Sequence, residues 1–151
     1  MLWIALGIVV AAWRRRPSIA LAVPAVVLLA DLAASVLKLA TDRPRPEETL
    51  AGIDVLVTTP STAAFPSGHA ATSFAAAVVL SLALPSLAPA FLVLAAAVSF
   101  SRLYVGVHFP LDVIGGAALG VAVAGGLGGT VLVARALRAS RCKDAGSPRT
   151  E

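Results

Sequence analysis

Long, nearly uncharged apolar runs fill most of this chain, and its polar residues collect in the gaps between them. Four runs, at about 18–40, 67–84, 88–107 and 110–134, have the length a membrane-spanning helix needs. Roughly 20 mostly apolar residues, rising 1.5 Å each, cross a hydrocarbon core of about 30 Å. A fifth run, "MLWIALGIVVAAW" at residues 1–13, is too short to span comfortably and is followed at once by Arg14, Arg15 and Arg16. A secretory signal carries its charges before the apolar run, so this segment reads as a short or half-inserted first helix, or as the remnant of a longer one. The pattern predicts an all-α integral membrane bundle of four spanning helices plus a short N-terminal helix. Residues 1–140 make a single membrane-embedded domain, and 141–151 read as a polar, disordered cytoplasmic tail.

Three departures from plain hydrophobicity stand out. The loop over 41–66 is long for a bundle, and "LAGIDVLV" within it is apolar enough to lie on the membrane surface as a lid. The last run sets Gly116, Gly120, Ala124 and Gly128 four residues apart, a ridge that lets another helix approach closely. Packing inside the bundle is the first reading of that ridge, and a homodimer through Gly116, Gly120 and Gly128 the second. Asp31 lies within the first long run, two turns before Lys38 and on roughly the same face. A charge at that depth faces a bundle interior, either in a structural pairing role or in proton transfer or substrate contact. Pro24, in the same run, predicts a kink.

Composition excludes a soluble protein: 58% of the 151 residues are hydrophobic and 13% charged, with a mean hydropathy of +0.90. The single cysteine, Cys142, excludes a disulfide framework or a thiolate metal site. A pI near 10.2 suggests nucleic acid at first, but the basic residues do not form one patch. Eight of the twelve (Arg14, Arg15, Arg16, Arg135, Arg138, Arg141, Lys143 and Arg149) flank apolar runs on one side. The excess of lysine and arginine marks the cytoplasmic side, so the helix from residue 18 runs outward through a cell membrane and the rest alternate. The first loop and the turn near His108 then lie outside the cytoplasm.

The other four basic residues, Lys38, Arg43, Arg45 and Arg102, fall at that outer face together with both histidines of the chain. Three segments meet there: "KLATDRPRP" at 38–46, "PSGH" at 66–69 and "SRLYVGVHFPLD" at 101–112. Singly, each has a bland explanation in a snorkelling cation, a helix capped by Ser67 or an interfacial histidine. Together they suit phosphate chemistry. Arginine forks, a lysine ammonium and the free amides of a helix starting at Ser67 match phosphate oxygens. One histidine can attack phosphorus while the other handles the leaving-group proton, and Asp112, four residues past His108, is spaced to hold that imidazole's other nitrogen.

These segments resemble the three motifs of the type 2 phosphatidic acid phosphatase family, which shares its site with vanadium haloperoxidases. Lysine, six residues, Arg-Pro is met by Lys38 with Arg45-Pro46. Pro-Ser-Gly-His is met by Pro66 to His69, and the third motif by Ser101-Arg102 with His108 and Asp112. The resemblance implies His108 as a nucleophile forming a phosphohistidine, Asp112 as its orienting partner, and His69 as the acid and then the base. It implies Lys38, Arg45 and Arg102 as phosphate ligands, helped by the backbone of Ser67 and Gly68; Arg43 falls outside the pattern and reads as an auxiliary contact. Neither metal nor cofactor is implied, because three fixed cations supply the charge stabilisation. Family members commonly have six spans, and four with a short segment are counted here.

The expected substrate is a lipid phosphate or diphosphate in the bilayer, with a polyprenyl diphosphate first and phosphatidic acid or phosphatidylglycerol phosphate next. A protein that only binds anionic lipid headgroups is the alternative of another class. No nucleic-acid partner is expected.

Overall fold

The computed structural model describes residues 1–50, 55–57 and 62–145, with side chains as far as residue 128. Among them helix is the only regular secondary structure, with no strand. Its helices are α1 (Leu2–Arg14), α2 (Pro17–Thr41), a single turn α3 (Pro46–Thr49), α4 (Gly68–Ala83), α5 (Ala88–Tyr104) and α6 (Pro110–Ala145), with a 3₁₀ turn at Pro85–Leu87 before α5. The "LAGIDVLV" lid falls largely outside the described residues. The helix reaches Ala145, five residues into the segment read as an unstructured tail.

Proline sets where helices start. Pro17 and Pro46 open α2 and α3 at the first turn, and Pro110 is the first residue of α6. At that position the missing N–H is one that no helical carbonyl would have received. Inside α2, Pro24 leaves the helix continuous from Pro17 to Thr41.

Small side chains are inside and large ones outside. Ala70, Ala71, Ala75, Ala76 and Ala77 of α4 are completely buried, whereas Leu21 of α2 is 76% exposed and Ile114 of α6 is 63% exposed. In water that arrangement would be costly, but lipid is as apolar as leucine, and close helix contact is what remains to be gained. Three stretches are long and apolar enough to cross a membrane: Pro17–Thr49, Pro85–Tyr104 and Pro110–Gly128. Four were expected. The difference is α4, whose 16 residues reach only about 24 Å at 1.5 Å each.

α4 is central, packing against α2, α5 and α6. One core joins Trp3 and Val10 of α1, Val23 of α2, Leu80 of α4 and Phe91 of α5. A second joins Val26, Ala30 and Ala34 of α2 to Ala71 and Ala75 of α4 and Ala124 of α6. α1 runs back along α2, where Gly7 lies against Val23, and Trp3 Nε1 donates to Ser73 Oγ on α4 at 2.9 Å.

The glycine ridge of α6 is spent within the bundle. A Cβ on Gly116 would stand 2.3 Å from the Ser67 carbonyl oxygen, and one on Gly120 would stand 2.2 Å from that of Ala71. α4 therefore occupies the face on which a second copy would need to dock, and of the three glycines only Gly128 looks onto open space.

Gly120→Ala should lower stability by about 1–3 kcal/mol, the usual cost of overpacking, seen as a lower thermal midpoint in detergent. Gly128→Ala should leave the midpoint unchanged or slightly raised, and equal losses from the two changes would contradict the α4–α6 contact.

Candidate active site

α2 and α5 end, and α4 and α6 begin, at the same end of the bundle, which carries the three polar segments to one place. Cross-connections fix them there. Lys38 Nζ donates to the Ala63 carbonyl at 2.8 Å, Arg45 Nη1 to the Val107 carbonyl at 3.1 Å, and the Ser67 amide to the Asp112 carbonyl at 2.9 Å. Arg45, only 3% exposed, also donates through Nε to the Thr62 carbonyl at 3.0 Å. It thus ties the 62–67 loop to the turn before His108.

That turn depends on glycine. After Tyr104 the chain closes α5 with Gly106 N–H to the Leu103 carbonyl and Val107 N–H to the Arg102 carbonyl, a Schellman arrangement. It requires the left-handed backbone that Gly106 adopts at φ 78°. His108 follows two residues later, facing back into the bundle.

A cavity of about 550 Å³ opens here, and Lys38, Arg45, Gly68, His69, Arg102 and His108 all line it. Its charge is positive and its surroundings are apolar, with Val27 and Leu28 of α2 and Trp3 of α1 along the same wall. Arg102 donates through Nε and Nη2 to Ser101 Oγ, each at 3.1 Å, and makes no ion pair among the described residues. Such a pocket suits a compact anion attached to an apolar body.

Other candidates sit differently. Asp112, fully buried, lies behind His108 rather than in the cavity, with its Oδ2 3.6 Å from His108 Nδ1. That is longer than a hydrogen bond, and Nδ1 has no hydrogen-bond partner. Both carboxylate oxygens are engaged elsewhere: Oδ2 accepts from the Phe109 amide at 2.8 Å and Oδ1 from Arg43 Nη1 at 3.0 Å. Arg43, read from sequence as an auxiliary phosphate contact, lies outside the cavity, paired to Asp112 and stacked over the Phe109 ring at 5.1 Å. Ser67 stands at the cap position of α4, but its hydroxyl caps nothing and has no partner. Its amide is taken by Asp112, so the free amides of the helix start belong to Gly68 and His69.

Sequence reading missed Thr62 and Ser35, both in the cavity wall. Ser35 was within reach, lying four residues after Asp31 and three before Lys38 on one helical face. Thr62 was not, because nothing in a loop sequence says which arginine its carbonyl will meet. Among the described residues, no cluster of three or more metal-ligating side chains forms.

Burial first, then the charges of Arg45 and Lys38, push the His108 imidazole down from 6.5 to about 4, with Asp112 pulling weakly the other way. His108 is therefore neutral, and a nucleophile in charge state, throughout the physiological range.

Known proteins resemble the chain in sequence and in fold. The model of the PAP2 superfamily matches residues 19–134. The chain is 46% identical over 96 residues to decaprenylphosphoryl-5-phosphoribose phosphatase of Mycolicibacterium smegmatis, a match covering 64% of this chain and 51% of that protein. It is 39% identical over 77 residues to bacitracin transport permease protein BcrC of Bacillus licheniformis, covering 51% and 38%. Among solved structures, it superposes at a TM-score of 0.61 on a transmembrane PAP2-type phosphatidylglycerolphosphate phosphatase from Bacillus subtilis, with 28% identity over 85% of this chain and 66% of that one. The chain spans about half the length of its mycobacterial relatives.

The chain has only two histidines, so a His69→Gln variant leaves one imidazole to titrate by NMR. Its midpoint should fall near 4. The folded-state value is depressed, so the unfolded chain binds the extra proton first, and stability should decline as pH falls through the window from 6.5 to 4. A midpoint at or above 6.5 would contradict burial beside Arg45 and Lys38.

Proposed function

The chain belongs to the PAP2 superfamily, and from that premise we propose that it is a membrane lipid phosphatase acting through a phosphohistidine, without a metal ion. The observation that carries this reading is the convergence of three cations and two histidines on one cavity with an apolar wall.

In the proposed reaction Lys38, Arg45 and Arg102 hold the phosphoryl oxygens, with the free amides of Gly68 and His69 adding donors. His108 turns Nδ1 toward Asp112, so Nε2 attacks phosphorus while the bond to the leaving oxygen breaks. His69 gives that oxygen its proton. Water then attacks the phosphohistidine, His69 takes the water's proton, and phosphate leaves as the nitrogen–phosphorus bond breaks. Positive charge develops on His108 during attack, and closing the 3.6 Å gap to Asp112 would stabilise it. Arg43 acts one step removed, by holding the other oxygen of that carboxylate.

The reading takes α4 as a fourth span, short because it is enclosed by other helices, and places the cavity on the outer face of the cell membrane. The basic cluster Arg14 to Arg16, at the opposite end of α2 from the site, supports that direction. The names of two similar proteins support a choice among the expected substrates. Their names specify a phosphoribose and a phosphatidylglycerolphosphate, each a phosphate on a hydroxylated group within a lipid. That favours a lipid phosphomonoester over the polyprenyl diphosphate expected first from sequence.

Phosphate release from phosphatidylglycerol phosphate micelles, in excess chelator, should be lost in His108→Ala by at least about a thousandfold. If the variant releases phosphate as fast as the parent, His108 is not the nucleophile; a parent that releases none would leave a site that only binds headgroups. Arg43→Ala should lower kcat about tenfold with little change in KM, as expected of a residue acting through Asp112. A raised KM alone would return Arg43 to the phosphate itself.

A further inference from the structure

Asp31 has no part in the steps above, yet it lines the same cavity. A carboxylate within a spanning helix is expensive and seldom idle. The structural pairing expected of it is absent: among the described residues Asp31 makes no hydrogen bond or ion pair. It is instead open to the cavity, its Oδ1 3.8 Å from where a Cβ on Gly68 would stand. It is also near enough to Lys38 and His69 to interact electrostatically with both.

Its depth gives it a role. Asp31, Ser35 and Lys38 form one stripe on α2, all facing the cavity. Seven residues separate Asp31 from Lys38, about 10 Å along the helix toward the membrane centre. A phosphate held by Lys38, Arg45 and Arg102 lies at the outer end. With the leaving oxygen turned to His69, as the proposed reaction requires, the first atoms beyond it would meet Asp31 and Ser35 on the cavity wall. Val27 and Leu28 line the same cavity and would face the apolar part of the substrate.

We propose that Asp31, with Ser35, selects the leaving group: it accepts a hydrogen bond from a hydroxyl near the scissile bond and repels a leaving group that is itself a phosphate. This rests on the lipid phosphatase reading and adds to it a substrate class, lipid phosphomonoesters of polyols or sugars. A polyprenyl diphosphate fits poorly for a definite reason. Its leaving oxygen is bonded directly to a second anionic phosphorus, which would lie against the carboxylate in a site of low dielectric. A glycerol or sugar places a hydroxyl there, and a hydrogen bond to a charged acceptor is among the stronger ones.

The test compares phosphate release from phosphatidylglycerol phosphate and from farnesyl diphosphate, in the same detergent, and reads the ratio of their kcat/KM values. The parent should favour the glycerol substrate by about tenfold or more, a result that needs no variant. Asp31→Asn, which removes the charge and keeps the shape, should shift that ratio toward the diphosphate by about ten- to a hundredfold. Asp31→Ser serves if the asparagine variant does not fold. A parent that prefers the diphosphate, or a ratio unmoved by removing the charge, overturns the role of Asp31 and leaves the phosphatase standing. A parent that releases phosphate from neither substrate overturns the phosphatase reading, and this inference with it.

Discussion

The close approach of α4 to α6 is the contact on which the site depends. Gly116 and Gly120 let the two backbones meet at a separation no other residue would allow, and the Ser67 amide donates to the Asp112 carbonyl across the same junction. The consequence is chemical as well as structural. One histidine stands at the start of α4 and the other just before α6, so whatever sets the register of these helices sets the distance between the two imidazoles. Without water to drive association, that register rests on packing and on a few hydrogen bonds.

The cation cluster is the second constraint. Like charges gathered in an apolar setting repel one another, and three devices hold them. Lys38 and Arg45 spend donors on the carbonyls of Ala63, Thr62 and Val107, which stiffens the 62–67 loop and the turn before His108. Arg43 is withdrawn from the cluster onto Asp112. His108 stays neutral, since burial and its cationic neighbours oppose its protonation. What remains is a cavity with a surplus of positive charge and few internal anions, and a phosphate is the group that would relieve it. Asp31 is the exception, set deeper than the cations and open to the cavity.

Much of this was legible in the sequence. Apolar run lengths gave the helices, because the bilayer thickness is fixed and the rise per residue is fixed. Alternation of spans, with the arginines at 14–16, carried Lys38, Arg45, His69, Arg102 and His108 to one face, and the structure gathers all five on one cavity. Spacing placed Asp112 beside His108, since four residues are about one helical turn.

Tertiary structure decided the rest, for one physical reason: periodicity says which residues share a face, but not which neighbour that face meets. The small-residue ridge suited either a second copy or another helix of the same chain, and only the fold gave it to α4. Arg43 and Arg45 differ by two positions in one turn, yet one reaches Asp112 and the other Val107 and Thr62. Ser67 carried every local sign of a cap and stands at the cap position, yet its hydroxyl bonds no amide, and its own amide donates to the Asp112 carbonyl. Asp31 was visible as a costly charge, but whether it would be paired or left facing a cavity depended on helices whose positions the sequence of α2 does not contain.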